Sequence, residues 1–161
     1  MTASVRVDRQ RACDRRCPSR PSLIRWVGCT LDALVPDGPK AGEVTVRYVE
    51  PEESRSLNAR FRGKDRPTNV LSFPAADDPA ELVTLPGADG PYLGDLVICP
   101  SIVEGEAGEQ GKSRRAHHAH MVVHGILHLL GYDHLTEAEA ERMESIEIRV
   151  LGALGYPDPY A

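Results

Sequence analysis

The stretch His124-Gly125-Ile126-Leu127-His128-Leu129-Leu130-Gly131-Tyr132-Asp133-His134 limits this chain more than any other. Three of the six histidines fall there at i, i+4 and i+10, with a glycine between the second and third. On an α-helix, residues four apart share a face, at about 1.5 Å of rise per residue. His124 and His128 can therefore reach one metal ion, at zinc–nitrogen distances of about 2.0–2.1 Å. His120 shares that face, but about 12 Å of rise separates it from His128. An ion bound to both of them and to His124 would lose tetrahedral geometry. Gly131 offers another route, because a helix that ends there in the left-handed conformation lets the chain fold back and present His134. The spacing predicts one Zn²⁺ held by His124, His128 and His134, with a fourth position open, which is the pattern of catalytic zinc.

The residue after the first histidine narrows the chemistry. Zinc peptidases of the H-E-x-x-H type place their general-base glutamate there. Here it is Gly125, which cannot accept a proton. Incidental histidines on a buried helix are the plain alternative, and the agreement of ligand spacing with a helix breaker speaks against it.

At 161 residues the chain suits one domain, 1–161, with a substantial core. Its 41% hydrophobic and 27% charged content is ordinary for a globular protein. No apolar run approaches the roughly 20 residues of a membrane span. Met1 to Cys17 has no apolar signal-peptide core, and Asp8 and Asp14 argue against a transit peptide, so the expected compartment is the cytoplasm. Cys13-x3-Cys17 admits half a metal site or a disulfide, but no second pair follows at zinc-knuckle spacing, and unpaired thiols are expected. The net charge of −5 conceals an asymmetry. Residues 1–66 carry 14 Lys/Arg against 9 Asp/Glu, and residues 67–161 carry 5 against 15. An anionic partner is expected to approach the first part more easily.

Strands are expected at Ser4–Val7, Gly42–Val49, Asn69–Phe73 and Tyr92–Cys99. Helices are expected at Ser22–Leu34, Pro51–Phe61, Pro100–Gln110 and Ser113–Leu130, with Pro18–Pro21 a break and Gly111 another. Arg62–Thr68 reads as a polar loop, and Pro74–Pro91, rich in Pro, Gly, Ala and Asp, as a mobile one. Thr136-x-x-Glu139 matches a capping box opening a last helix to about Leu154, with Met143, Ile146, Val150 and Leu154 at helical spacing. Strands come early and helices late, which predicts an α+β layer arrangement.

The metal run closely resembles the signature H-G-x-L-H-L-x-G-Y-D-H of the YbeY family of bacterial rRNA maturation factors. Ser56-Leu57-Asn58 followed by Phe61-Arg62-Gly63-Lys64-Asp65-Arg66-Pro67-Thr68-Asn69-Val70-Leu71-Ser72-Phe73-Pro74 is similar to the family's second block, and Leu93-Gly94-Asp95-Leu96-Val97-Ile98-Cys99 to its third. His117-x2-His120-Met121-Val122-Val123 and Gly155-Tyr156 extend the likeness, which covers most of the chain from about residue 42 onward. The resemblance implies a zincin-like α+β domain with a small mixed sheet and about five helices. It also implies metal-dependent, single-strand-specific endoribonuclease action in ribosomal RNA processing, at the 3′ end of the small-subunit RNA, and in ribosome quality control. The partners it implies are ribosomal RNA and the small ribosomal subunit. His124, His128 and His134 match the family's zinc ligands, and Arg62 matches the arginine implicated in RNA processing.

Cleavage of RNA needs a nucleophile, charge stabilisation at phosphorus and a proton for the leaving group. Three neutral imidazoles leave the full double charge on Zn²⁺, which can activate water or polarise a phosphoryl oxygen. Attack by the substrate's own 2′-OH is equally compatible with the residues. Arg62 can grip two phosphate oxygens, and Lys64 and Arg66 neighbouring phosphates. Asp133 either orients an imidazole or caps the turn after Gly131, and His120 either lines the cleft or packs. A non-catalytic, zinc-containing ribosome assembly factor is the main rival reading. A zinc peptidase is a weaker one because of Gly125.

Overall fold

The computed structural model describes residues 3–161. Four strands, β1 (Ser4–Ala12), β2 (Ala41–Val49), β3 (Val70–Pro74) and β4 (Tyr92–Ile98), form one mixed sheet in the order β1-β2-β4-β3. β1 and β4 run parallel to β2, and β3 runs antiparallel to β4 along one edge. Five helices surround it: α1 (Arg20–Leu34), α2 (Pro51–Arg62), α3 (Pro100–Gln110), α4 (Arg114–Leu129) and α5 (Glu137–Ala153). This is the expected α+β arrangement.

Residues alternate across each strand, so one sheet can feed two apolar clusters. Val44, Val46, Leu96 and Ile98 join Leu23, Trp26 and Leu31 of α1 and Val122, Val123, Ile126 and Leu127 of α4 in the main core. Val49, Leu71, Val97 and Cys99 form a smaller cluster with Leu57 of α2 and Phe73. Among the described residues, no helix is long and apolar enough to cross a membrane. Cys13 and Cys17 are free thiols whose sulfurs lie 3.4 Å apart.

Several boundaries differ from the sequence expectation for physical reasons. β1 continues to Ala12 because Asp8 to Ala12 pair with Thr45 to Val49, although Arg9-Gln10-Arg11 has little strand character of its own. α1 begins at Arg20 rather than Ser22. Ser19 caps it by accepting the Ser22 N–H at 3.3 Å, and Pro21 fits the first turn, where its missing N–H costs nothing. The loop after β3 carries a short 3-10 turn, Pro79–Glu81, capped by Asp78, and Leu82 packs against the main core.

α4 is buried nearly all round, as a helix central to a core must be. It rests close to the sheet at Gly125. A Cβ there would lie 2.7 Å from Leu96 Cδ2, inside van der Waals contact, and Leu96 is fully buried. Ser72 Oγ of β3 donates to the Gly125 carbonyl at 3.3 Å, tying helix to strand at the same level.

Gly125→Ala sets a gain in helix propensity of about 1 kcal/mol against overpacking of about 1–3 kcal/mol. Net destabilisation is expected, read as a lower urea midpoint. A midpoint equal to or above that of the parent would show that Leu96 yields freely.

Candidate metal centre and basic cleft

α4 delivers the first two histidines and its end delivers the third. The helix stops at Leu129. Gly131 adopts φ +90°, its N–H bonds to the His128 carbonyl at 3.1 Å, and Tyr132 N–H bonds to Leu127 at 3.0 Å. These bonds satisfy carbonyls that the last turn would leave unpaired, and they reverse the chain. His134 then lies over His124, ring centroids 5.9 Å apart and nearly parallel, and 5.2 Å from His128 edge-on.

One ligand nitrogen from each of His124, His128 and His134 falls within 4.8 Å of the others, so this cluster can hold a metal ion. The Nε2 atoms of His124 and His128 are 3.1 Å apart. Two nitrogens each about 2.0–2.1 Å from a tetrahedral ion stand about 3.3 Å apart, so the pair needs little adjustment. Burial first, and then the neighbouring imidazoles of His124 and His134, push His128 below the ordinary histidine range, towards the neutral form that binds metals.

Glu147, from the middle of α5, completes the cluster from beneath. It is buried, and its Oε2 accepts from His124 Nδ1 at 2.8 Å. Its Oε1 accepts from the Tyr160 hydroxyl at 2.5 Å, and His120 Nε2 lies 3.3 Å from Oε2. Burial pushes this carboxyl up, but the hydrogen bonds from His120, His124 and Tyr160 outweigh it and hold the group down at about 2. His120, His124 and Glu147 also form a possible metal-holding group. The 2.8 Å contact suits a charge-assisted hydrogen bond better than two ligands spread around an ion. With Nδ1–H given to Glu147, His124 keeps its Nε2 lone pair free for a metal.

Of the two roles open to Asp133, the geometry matches the turn. Its Oδ1 accepts the backbone N–H of His134 at 2.8 Å, and the carboxylate that orients an imidazole is Glu147. His120 is buried on the far side of His124, packed edge-on against Tyr160. Sequence reading missed Glu147, although a signal existed. With Met143, Ile146, Val150 and Leu151 it occupies the apolar stripe of α5, where a glutamate has to find a partner. Tyr160 gave no such signal.

The opposite wall is basic. α2 ends at Arg62, whose Nη2 donates to the Ser72 carbonyl at 2.7 Å and whose guanidinium lies 5.2 Å from the centre of the Phe73 ring. The following loop is stapled to α2 by two buried side chains. Ser54 Oγ accepts from Thr68 N–H at 2.9 Å and donates to Thr68 O at 3.1 Å, and Asn58 Nδ2 donates to Arg66 O at 2.9 Å. Arg62, Lys64 and Arg66 therefore line the same cleft, of about 670 Å³, as His124, His128, Asp133 and His134. Of the eight side chains singled out from the sequence, seven meet there, and His120 does not line the cleft. A side chain at position 125 would meet Leu96 of the sheet, and the glycine there supplies no general base.

The chain matches the family model described as endoribonuclease YbeY over residues 20–155. The fold is similar to the solution structure of TM1509 from Thermotoga maritima, at 28% identity and a TM-score of 0.55, over 93% of this chain and 91% of that one. The matched span contains α4, its turn and the basic loop, and on that match the chain belongs to the YbeY endoribonuclease family.

Proposed function

We propose that this protein is a zinc-dependent endoribonuclease, acting as one domain on single-stranded ribosomal RNA in the cytoplasm. Its task is to mature the 3′ end of the small-subunit RNA and to serve ribosome quality control. The observation that carries this reading is the shared cleft, with His124, His128 and His134 on one wall and Arg62, Lys64 and Arg66 on the other. Metal-assisted cleavage of a phosphodiester uses both a site for the ion and cationic anchors for the flanking phosphates.

The bound ion would be held by the three imidazoles and would supply Lewis acidity towards a phosphoryl oxygen and a lowered pKa for water. The chain's own residues do the rest. Arg62, fixed by the Ser72 carbonyl and stacked on Phe73, presents remaining N–H donors to a phosphate in a geometry set in advance. Lys64 and Arg66 extend the anion path along the loop held by Ser54 and Asn58. Glu147 keeps His124 in the ligating tautomer.

Two measurements test this. Zinc at about 100 times its Kd adds about 2.7 kcal/mol to stability, so thermal melts with and without zinc should separate for the parent protein and nearly coincide for His128→Ala. Equal shifts in both would remove these ligands. Arg62→Glu should keep zinc binding and the fold but lose maturation of precursor rRNA 3′ ends in a deletion strain. Full restoration of mature ends by that variant would remove Arg62 from the mechanism.

A further inference from the structure

Glu147 is 1% exposed, and an ionised carboxylate at that depth is costly unless its oxygens are occupied. His124 serves Oε2, the Tyr160 hydroxyl donates to Oε1, and His120 Nε2 lies 3.3 Å from both Oε2 and that hydroxyl. Tyr160 is not on α5. It arrives from the segment beyond that helix, which returns across the molecule to α4. Lys112 Nζ donates to the Pro159 carbonyl at 2.8 Å, and Asp158 Oδ1 accepts the Tyr160 N–H at 2.8 Å. The Tyr160 ring stands edge-on to His120, 5.5 Å between centroids at 87°. The tail is thus held at both its backbone and its ring, with the hydroxyl aimed at one carboxylate oxygen.

We propose that the tail segment around Tyr160 is part of the metal centre, with Tyr160 a positioning residue that holds Glu147 where it fixes His124 with Nε2 free for the ion. This rests on the zinc reading of His124, His128 and His134. Without the hydroxyl, Oε1 becomes a buried acceptor with no donor, and the carboxylate turns away from His124 to find one. That change releases the His124 Nδ1–H and lets the ring exchange tautomers, so part of its population presents the wrong nitrogen. A tail that merely covers apolar surface would act through its ring and backbone, and both persist in Tyr160→Phe.

Full-length parent, Tyr160→Phe and Glu147→Gln proteins are compared by three readouts. These are zinc affinity from competition with a chromophoric chelator, the His124 tautomer from imidazole ¹⁵N NMR of zinc-free protein, and the zinc-free melting temperature. Removing a partner of a ligating histidine typically costs about 10–100-fold in metal affinity, which is expected for Glu147→Gln. Tyr160→Phe, one hydrogen bond further out, is expected to cost about tenfold or less, with a lower zinc-free melting temperature from the unsatisfied Oε1 and the His124 Nδ1–H signal mixed with the other tautomer. Parent-like affinity and a single tautomer in Tyr160→Phe would overturn the proposal. So would an affinity loss matched by a fall in zinc-free stability with the tautomer intact. If the parent itself showed no histidine-dependent zinc binding, the zinc reading would fail, and the tautomer signal would still decide whether Tyr160 positions Glu147.

Discussion

The depth at which α4 sits on the sheet governs the site. Most of this helix is core, with Arg114 and Arg115 exposed at its start and His124 and His128 half-buried towards its end. At Gly125 the helix backbone approaches Leu96 and Ser72 closely. That contact fixes the rotation of α4, and rotation decides which way His124 and His128 face. Placement at the C-terminal end of the helix has an electrostatic merit as well. The aligned peptide dipoles of a helix place partial negative charge at its C-terminal end, which favours a cation nearby.

Charge that looks merely uneven along the chain becomes organised in space. The basic residues of the α2–β3 loop come from the first part of the sequence and the candidate metal-ligating histidines from the acidic second part. The fold brings the two together across one cleft. Asp77 and Asp133 line it too, so it is not a uniform cationic surface. Attraction is concentrated at Arg62, Lys64 and Arg66, an arrangement suited to ordering a strand more than to adsorbing any polyanion.

What could be read from the sequence was whatever is encoded locally. The capping box Thr136/Glu139, the start of α2 at Pro51 and the breaks at Gly111 and Gly131 placed the helices to within a residue or two. The three histidines were legible because helix period and a breaker constrain each other. The second half of β1 was not, since pairing with β2 makes a strand of a polar stretch. Nor was the partner of His124. Asp133 is adjacent in sequence, but Glu147 is adjacent in space, and only the packing of α5 against α4 decides between them. The buttresses of the basic loop, Ser54 and Asn58, likewise acquire meaning only from what lies over them.

The bond from Arg62 to Ser72 has a second consequence. β3 is a five-residue edge strand, and an edge carries main-chain groups able to pair with another molecule. By occupying the Ser72 carbonyl and covering Phe73, Arg62 blunts that edge with a positive charge. A substitution at this position therefore does more than remove the proposed phosphate anchor. It uncovers a short template for strand addition, so the colloidal behaviour of the protein and the proposed grip on RNA would rest on one side chain.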